Sequence, residues 1–402
     1  MKKQNPGMKK ISLTVLGMYL TILAAFSQYS KNRDSSYVSR KLKIEEVNIV
    51  SSYYRQDGDN ATVTGGLGSQ KLTDISTSFE LKLVKYDKAN RKNSFSFELG
   101  IDHYTSASSD KIDPSTISSA SYADNRFYPS LNWSRENENK GFIAGAGVYY
   151  STEYDYRSFG GNLNFSKKTK DRNGEFTAKL QAYFDEVSTI YPIELRTSAN
   201  ASDPNKKRNT YSGTLSWSQV INRSLQVMLE GEVVYQEGSL GLPFHRVYFN
   251  DNTVHIERLP STRLKIPIGL RANYFLGDGF IIRGWYRRYQ DDWNIKSNTL
   301  QMETSIKLNP FYSITPFYRF YQQTSSDFFA PFTSHTAADD FYTSNYDLSK
   351  FNSHFFGLGF RMAPPNGVFN LQHVNALEIR YGHYRKNINL NANIISLHLK
   401  FK

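Results

Sequence analysis

The residues best placed to do chemistry in this chain are charged side chains spaced two apart along extended segments. Acids come first: Glu80, Glu98, Asp102, Glu175, Asp185, Glu230 and Glu232. Bases dominate later: Arg263, Lys265, Arg271, Arg283, Arg287, Lys307, Arg319 and Arg380. Residues two apart on a strand share a face, so these groups would line one surface, with acids on one wall and bases on the other. Between low-dielectric walls that distribution makes a transverse field, which orients polar solutes. The competing outcome is that the charges pair across neighbouring strands and fill the interior, with Glu230 and Glu232 expected beside Arg263, Lys265 and Arg271.

Other groups invite weaker readings. Asp57-Gly58-Asp59-Asn60 offers oxygen ligands from Asp57, Asp59 and Asn60. This is only a fragment of what Ca²⁺ needs, and an Asp/Asn/Gly turn is the commoner explanation. Phe244, His245, Arg246 and Asp347 fall in long connectors and are candidate binding residues. His245, His255, His335, Asp339 and Asp340 could ligate Zn²⁺, yet their spacing matches no zinc site. The aromatic residues of 325–351, Phe328, Phe329, Phe332, Phe341, Tyr342 and Tyr346, either pack at a rim or bind a ligand. No Ser–His arrangement, Walker loop or HExxH occurs, so neither an enzyme nor a cofactor is expected. The absence of Cys removes disulfides, thiolate metal sites and a cysteine nucleophile.

The elements that must position these groups follow from period-two alternation. From Glu175 to Asp185 one face reads Phe176, Ala178, Leu180, Ala182, Phe184, and the other is polar. The stretches 225–236 and 263–276 repeat the pattern. Strands are predicted at 47–56, 73–86, 94–106, 127–136, 141–153, 156–167, 174–187, 209–221, 224–238, 262–275, 279–291, 296–307, 311–324, 352–363, 374–385 and 391–401. Their connectors alternate between short turns and longer loops, the longest being 57–72, 107–126, 188–208, 239–261 and 325–351. That alternation predicts an all-β, transmembrane, antiparallel up-and-down barrel of about 16 strands, with short periplasmic turns and long extracellular loops. An even count returns the C-terminus to the side where the N-terminus starts. A barrel of this size is wide enough for a channel, whereas one of ~8 strands is filled by side chains. Pro267 and Pro316 interrupt predicted strands and are expected at local bulges.

The N-terminus reads as a secretory signal over residues 1–27. Lys2, Lys3, Lys9 and Lys10 precede an apolar run from Ile11, and small residues Ala25 and Ser27 close it. Its removal leaves 45 basic against 37 acidic residues, a net +8. The bases are dispersed and match no reader fold, so nucleic acid is not an expected partner. Residues 28–46 are expected to be a periplasmic lead-in or a small plug, and residues 47–402 the barrel. Leu397, Leu399 and Phe401 on one face of the last strand resemble the signal read by the barrel-assembly machinery.

Four runs carry a family resemblance: Tyr53 to Asn60 with Val63 to Gly68, Leu242 to Tyr248 with Glu257 to Pro260, Thr343 to Phe351, and Tyr381 to Tyr384 with Leu390 to Ser396. Together they resemble an exported Gram-negative family known only as domain of unknown function 3570, over nearly all of the mature chain. The resemblance implies an outer-membrane β-barrel and supplies no activity. Members' gene neighbours hint at a periplasmic redox partner. The function expected is porin-like passage of small polar solutes through a charged lumen, in contact with outer-membrane lipid and lipopolysaccharide. The alternative is a scaffold docking a periplasmic or surface partner. Nothing in the sequence marks an oligomer face.

Overall fold

The structure is a computed structural model and describes residues 41–105, 123–189, 191–197 and 205–402. The expected signal peptide, the lead-in as far as residue 40 and most of the 107–126 loop lie outside them. Among the described residues sixteen strands close into one antiparallel ring. They are β1 (Lys43–Gly58), β2 (Leu72–Tyr86), β3 (Lys92–Thr105), β4 (Ala123–Asn137), β5 (Phe142–Thr152), β6 (Tyr156–Lys168), β7 (Gly174–Val187), β8 (Lys206–Asn222), β9 (Leu225–Gly238), β12 (Thr262–Leu276), β13 (Phe280–Asp291), β14 (Lys296–Lys307), β15 (Tyr312–Gln323), β16 (Phe351–Met362), β17 (Val374–Lys386) and β18 (Leu390–Phe401). Two short strands, β10 (Arg246–Tyr248) and β11 (Val254–Ile256), pair with each other outside the ring. Each ring strand pairs with the next in the chain, and β1 pairs with β18 from Val47↔Phe401 to Gly58↔Leu390.

Alternation explains which side faces where. Leu163 and Leu180 stand opposite each other on β6 and β7, as do Leu229 and Leu270 on β9 and β12. All four are about half exposed or more, as are Leu215 and Leu300 on the same wall. An apolar belt of this extent would be a liability in water; in a bilayer it meets its own solvent. The opposite parity turns polar residues inward, where Ser, Thr, Asn and charged groups line the lumen.

Among the described residues a cluster of buried apolar side chains lies outside the ring. Val47, Ile49, Leu377 and Phe401 have outer-face parity yet are buried with Val374, because the connector 363–373 folds back over them and seats Val368 among them. This connector covers the line where β1, β18 and β17 meet. Within it Gly367, Phe369 and Asn370 take positive φ angles. For the bulky Phe369 that conformation is strained, and its ring is exposed.

The structure departs from the sequence reading in three places. β1 starts at Lys43, so the last four residues of the expected lead-in are strand. Pro267 and Pro316 make no bulge: pairing of β12 to β9 lapses at 266–267 and resumes in the same register, and Pro316 stays opposite Leu358. A proline without an N–H drops one rung and does not need an inserted residue. The register shifts lie instead at Ile44/Glu46, Val220/Asn222 and Val374/Ala376, close to the turn end of the barrel. The third departure is the β10–β11 hairpin, which forms inside the predicted connector 239–261.

Val368→Asp would place an unpaired carboxylate in the cluster over the closing strands, at a cost of roughly 3 kcal/mol or more. The temperature at which the compact band collapses on a detergent gel is expected to fall by several degrees, and Phe369→Ser is expected to leave it unchanged.

Candidate functional site

The strand registers place all fifteen predicted wall residues on the inner face. On the acidic side, Glu80 accepts from the Asn48 amide at 3.0 Å and the Ser96 hydroxyl at 3.0 Å, and pairs with Lys82 at 3.2 Å. Asp102 accepts from the Tyr128 hydroxyl at 2.9 Å. Asp185, almost fully buried, accepts from Ser158 at 2.7 Å and pairs with Arg208 at 3.0 Å. Glu98 faces the lumen exposed, and Glu175 points the same way.

The basic side is braced differently. Arg263 pairs with Asp291 and lies 4.3 Å over the Trp293 ring. Arg271 lies 5.5 Å over Trp285. Arg319 donates to Gln301 at 2.8 Å and lies 5.5 Å over Phe355. Arg283 donates to Ser305 at 2.7 Å and pairs with Glu303 at 3.2 Å. Arg380 reaches from β17 to the same Glu303 on β14, at 2.7 Å. Lys265, Arg287 and Lys307 complete the wall.

The expected pairing of Glu230 and Glu232 with Arg263, Lys265 and Arg271 does not occur, and register is the reason. Glu230 faces Gly269, while Arg271 faces Met228, Lys265 faces Val234 and Arg263 faces Gln236. Arg263 pairs instead with Asp291, and further along the wall Arg283 and Arg380 pair with Glu303 and Arg380 also with Glu378, three carboxylates outside the predicted set. They share the inner parity of their strands, which was the signal available for finding them. The later wall is therefore mixed in sign. Arg126, Lys179 and Arg361 are further inward-facing bases.

Above the walls, the long connectors interlock. Going round the ring, the β1–β2 connector and the β9–β12 connector stand eight strands apart out of sixteen, on opposite sides of the mouth. Sixteen strands about 4.8 Å apart and tilted by ~40° make a ring roughly 30 Å across. Even so, Arg246 donates to the Val63 carbonyl at 3.0 Å, and the Tyr248 ring packs on Gly65. A Cβ on Gly65 would stand 2.5 Å from that ring, and one on Gly66 2.8 Å from the Tyr346 ring. Both glycines also have positive φ, so no other residue suits the approach. Arg246 also clasps Glu194 of the β7–β8 connector.

The β15–β16 connector completes this roof. Arg258 and Tyr342 exchange backbone hydrogen bonds at 3.1 and 2.7 Å. Phe249 packs on Tyr342 at 4.9 Å, Tyr248 on Phe332 at 4.7 Å and Phe329 on Tyr346 at 5.1 Å. The loop aromatics thus pack on one another at the rim. Asp347 meets Lys386 of the wall, and Gln323 donates to the Ser349 carbonyl at 2.6 Å, tying the roof to the strands.

At its centre Glu257 is almost completely buried. It accepts from the Leu242 N–H at 2.8 Å and from the Thr343 hydroxyl, and it contacts His245 Nδ1 at 3.2 Å. Burial alone would raise its pKa, but His245, Thr343 and the Leu242 N–H together hold it below the ordinary carboxylate value. Thr343 and His245 both address the carboxylate and not each other, and Thr343 is sealed from solvent, so the trio is a structural knot and not a nucleophile with its base. Of the predicted loop residues, His245 belongs to this knot, Arg246 is the strap across the mouth, and Phe244 packs edge-on against His245.

The calcium reading is not supported by the geometry. Asp57 and Asp59 are exposed, and Asn60 donates its amide to the Ile388 carbonyl at 2.7 Å. Among the described residues no group of three His, Asp or Glu side chains is placed to hold a metal. The loop histidines are likewise separate: His335 contacts Asp339 at 3.2 Å, and His255 stacks on Phe249 at 4.2 Å.

A family model described as "Protein of unknown function (DUF3570)" matches residues 88–394. The chain belongs to the DUF3570 family. In this DUF3570 barrel, three of the four runs that carry the resemblance meet in the roof: Gly65 and Gly66 against Tyr248 and Tyr346, and Glu257 against Thr343. No curated protein matches the chain in sequence. Among solved structures, OccK9 (OpdG) of Pseudomonas aeruginosa is 9% identical, with a TM-score of 0.40 and coverage of 89% of this chain and 98% of that one. A bacterial polysaccharide outer membrane secretin is 10% identical, with a TM-score of 0.44 and coverage of 91% and 99%. A BenF-like porin from Pseudomonas fluorescens Pf-5 is 8% identical, with a TM-score of 0.40 and coverage of 90% and 98%. Likenesses this distant transfer nothing to the DUF3570 chain beyond the general kind of fold.

Glu257→Ala would strand Thr343 and His245 without their acceptor, costing roughly 1–3 kcal/mol. The roof is expected to open locally, so that protease cuts within 239–261 several-fold faster while the gel shift of the barrel persists. Because the folded pKa of Glu257 is depressed, its contribution is present above the unfolded value of 4.5 and is lost as pH falls through the lower folded value. Pepsin cleavage of wild-type loops should therefore accelerate as pH falls below the unfolded value of 4.5, with a weaker acid dependence in Glu257→Gln.

Proposed function

We propose that this chain is an outer-membrane barrel that passes small polar solutes through its charged lumen and works by passage, not catalysis. The apolar belt and the backbone closure suit lipid, and the long connectors would face outward, among lipopolysaccharide, with the short turns in the periplasm. The last strand, ending in Leu397, Leu399 and Phe401, would engage the barrel-assembly machinery. Both chain ends of the ring then lie on the periplasmic side.

The observation that supports the reading is the charged lumen of a closed sixteen-strand ring, and what limits passage is the strap from Arg246 to Val63, between connectors on opposite sides of the mouth. Such a contact spans the opening, over a lumen lined with charge. Passage under this reading requires the roof to move or leave a side gap, so the roof sets size and rate and the walls set charge preference.

Planar-bilayer recording tests this. The refolded mature chain is expected to give small, discrete, ohmic steps, and a variant with 241–258 replaced by a short Gly/Ser linker is expected to give steps several-fold larger. If both are silent while gel mobility shows folded barrels, the passage reading fails and a scaffold that docks a partner replaces it.

A further inference from the structure

At the turn end of the lumen a cavity of about 370 Å³ opens between β13 and β17, floored by the turn Asn309–Phe311. Its charged lining is Arg283, Lys307, Arg361 and Arg380 against Glu303 and Glu378. The two carboxylates are already engaged. Glu303 holds Arg283 at 3.2 Å and Arg380 at 2.7 Å, and Glu378 turns to Arg380 at 3.4 Å. Arg380 is further fixed 4.9 Å over the Phe317 ring. Lys307 and Arg361 take part in no ion pair among the described residues, and both are exposed to the lumen.

The imbalance is not cancelled from the next sector. Arg361 also borders a cavity lined by Glu46, Glu80, Lys82 and Lys400. There Glu46 holds Lys82 and Lys400, and Glu80 holds Lys82 at 3.2 Å. Across both cavities six Lys and Arg side chains face four carboxylates, which leaves two positive charges uncompensated. Register places them: Lys307 faces Ser313 on β15, and Ser313 faces Arg361 on β16. The two cations thus flank one hydroxyl, with backbones two strands apart, about 10 Å. Both side chains are long enough to converge on one oxyanion or to hold two at a short separation.

We propose that this cavity is a binding site for a small solute carrying two negative oxyanion charges, held by Lys307 and Arg361 with the Ser313 hydroxyl between them. The proposal rests on the passage reading and names its solute class: a doubly charged phosphate or a dicarboxylate. Arg283 and Arg380 serve by neutralising Glu303 and Glu378, which would otherwise repel the solute. A site at the turn end holds the anion where it leaves the lumen for the periplasm, and its exposure keeps release fast.

Isothermal titration of the refolded mature chain in non-ionic detergent tests the site without requiring conductance. Inorganic phosphate and succinate are the probes, with acetate and putrescine as monoanion and dication controls. At least one dianion is expected to bind, and which one does separates a phosphate site from a dicarboxylate site. Lys307→Ala with Arg361→Ala is expected to weaken that binding by about tenfold or more, and Lys170→Ala, on the exposed β6–β7 turn, to leave it unchanged. Gel mobility confirms that each variant is folded. No dianion binding, equal binding of acetate, or binding indifferent to the double substitution would overturn the proposal. Conductance without binding would overturn this site alone, whereas binding without conductance, in roofed and unroofed barrels alike, would overturn passage alone.

Discussion

Everything in this structure depends on one pairing, that of β1 with β18. A sheet facing lipid cannot leave an edge, because each unpaired backbone N–H and C=O would lie in hydrocarbon without a partner. Closure removes both edges. It requires an even number of antiparallel strands if neighbours in the chain are to remain neighbours in the ring. It also divides every strand into an outward and an inward set of side chains. The leucine belt and the charged lumen are therefore two sides of the same constraint.

Inside the ring the charges are arranged for orientation more than for stability. Partly exposed ion pairs contribute little to folding, and Arg283, Arg380 and Glu303 are of that kind. What such contacts do is fix where positive groups point. Stacking on Trp285, Phe317 and Phe355 does the same for Arg271, Arg380 and Arg319. Small residues make room: Gly357 and Gly382 lie under the Phe317 ring, which in turn supports Arg380. On the acidic side hydroxyls and amides perform this bracing, leaving Glu98 exposed to lumen water.

The strands were legible because alternation at period two and turn chemistry both repeat locally, and inner or outer parity followed at once. Register was not. Whether Glu230 meets Arg271 or Gly269 depends on how many residues the intervening connector consumes before β12 joins β9, and that connector includes its own hairpin. The roof was hidden for a related reason: Arg246 and Val63 are 183 residues apart, and loop-to-loop contacts carry no periodic signal. Even so, the residues that form it, from Gly65 to Thr343, were conspicuous as runs before their meeting point was known. The connector 363–373 gave no warning, since nothing in Ala-Pro-Pro-Asn-Gly says that the chain turns back over the outer wall.

That connector has a mechanical meaning. A ring made by joining the first strand to the last can reopen along the same join, sideways into the bilayer. Here the join is fastened from the membrane side, since separating β1 from β18 would pull Val47 and Phe401 out of the pocket they share with Val368. The seat for Phe401, on the last strand, is built from both ends of the ring: Val47 and Ile49 from β1, Val374 and Leu377 from β17, and Val368 from the connector. Among the described residues, the seam between the first strand and the last is thus the one join of the ring that is covered from outside by a connector.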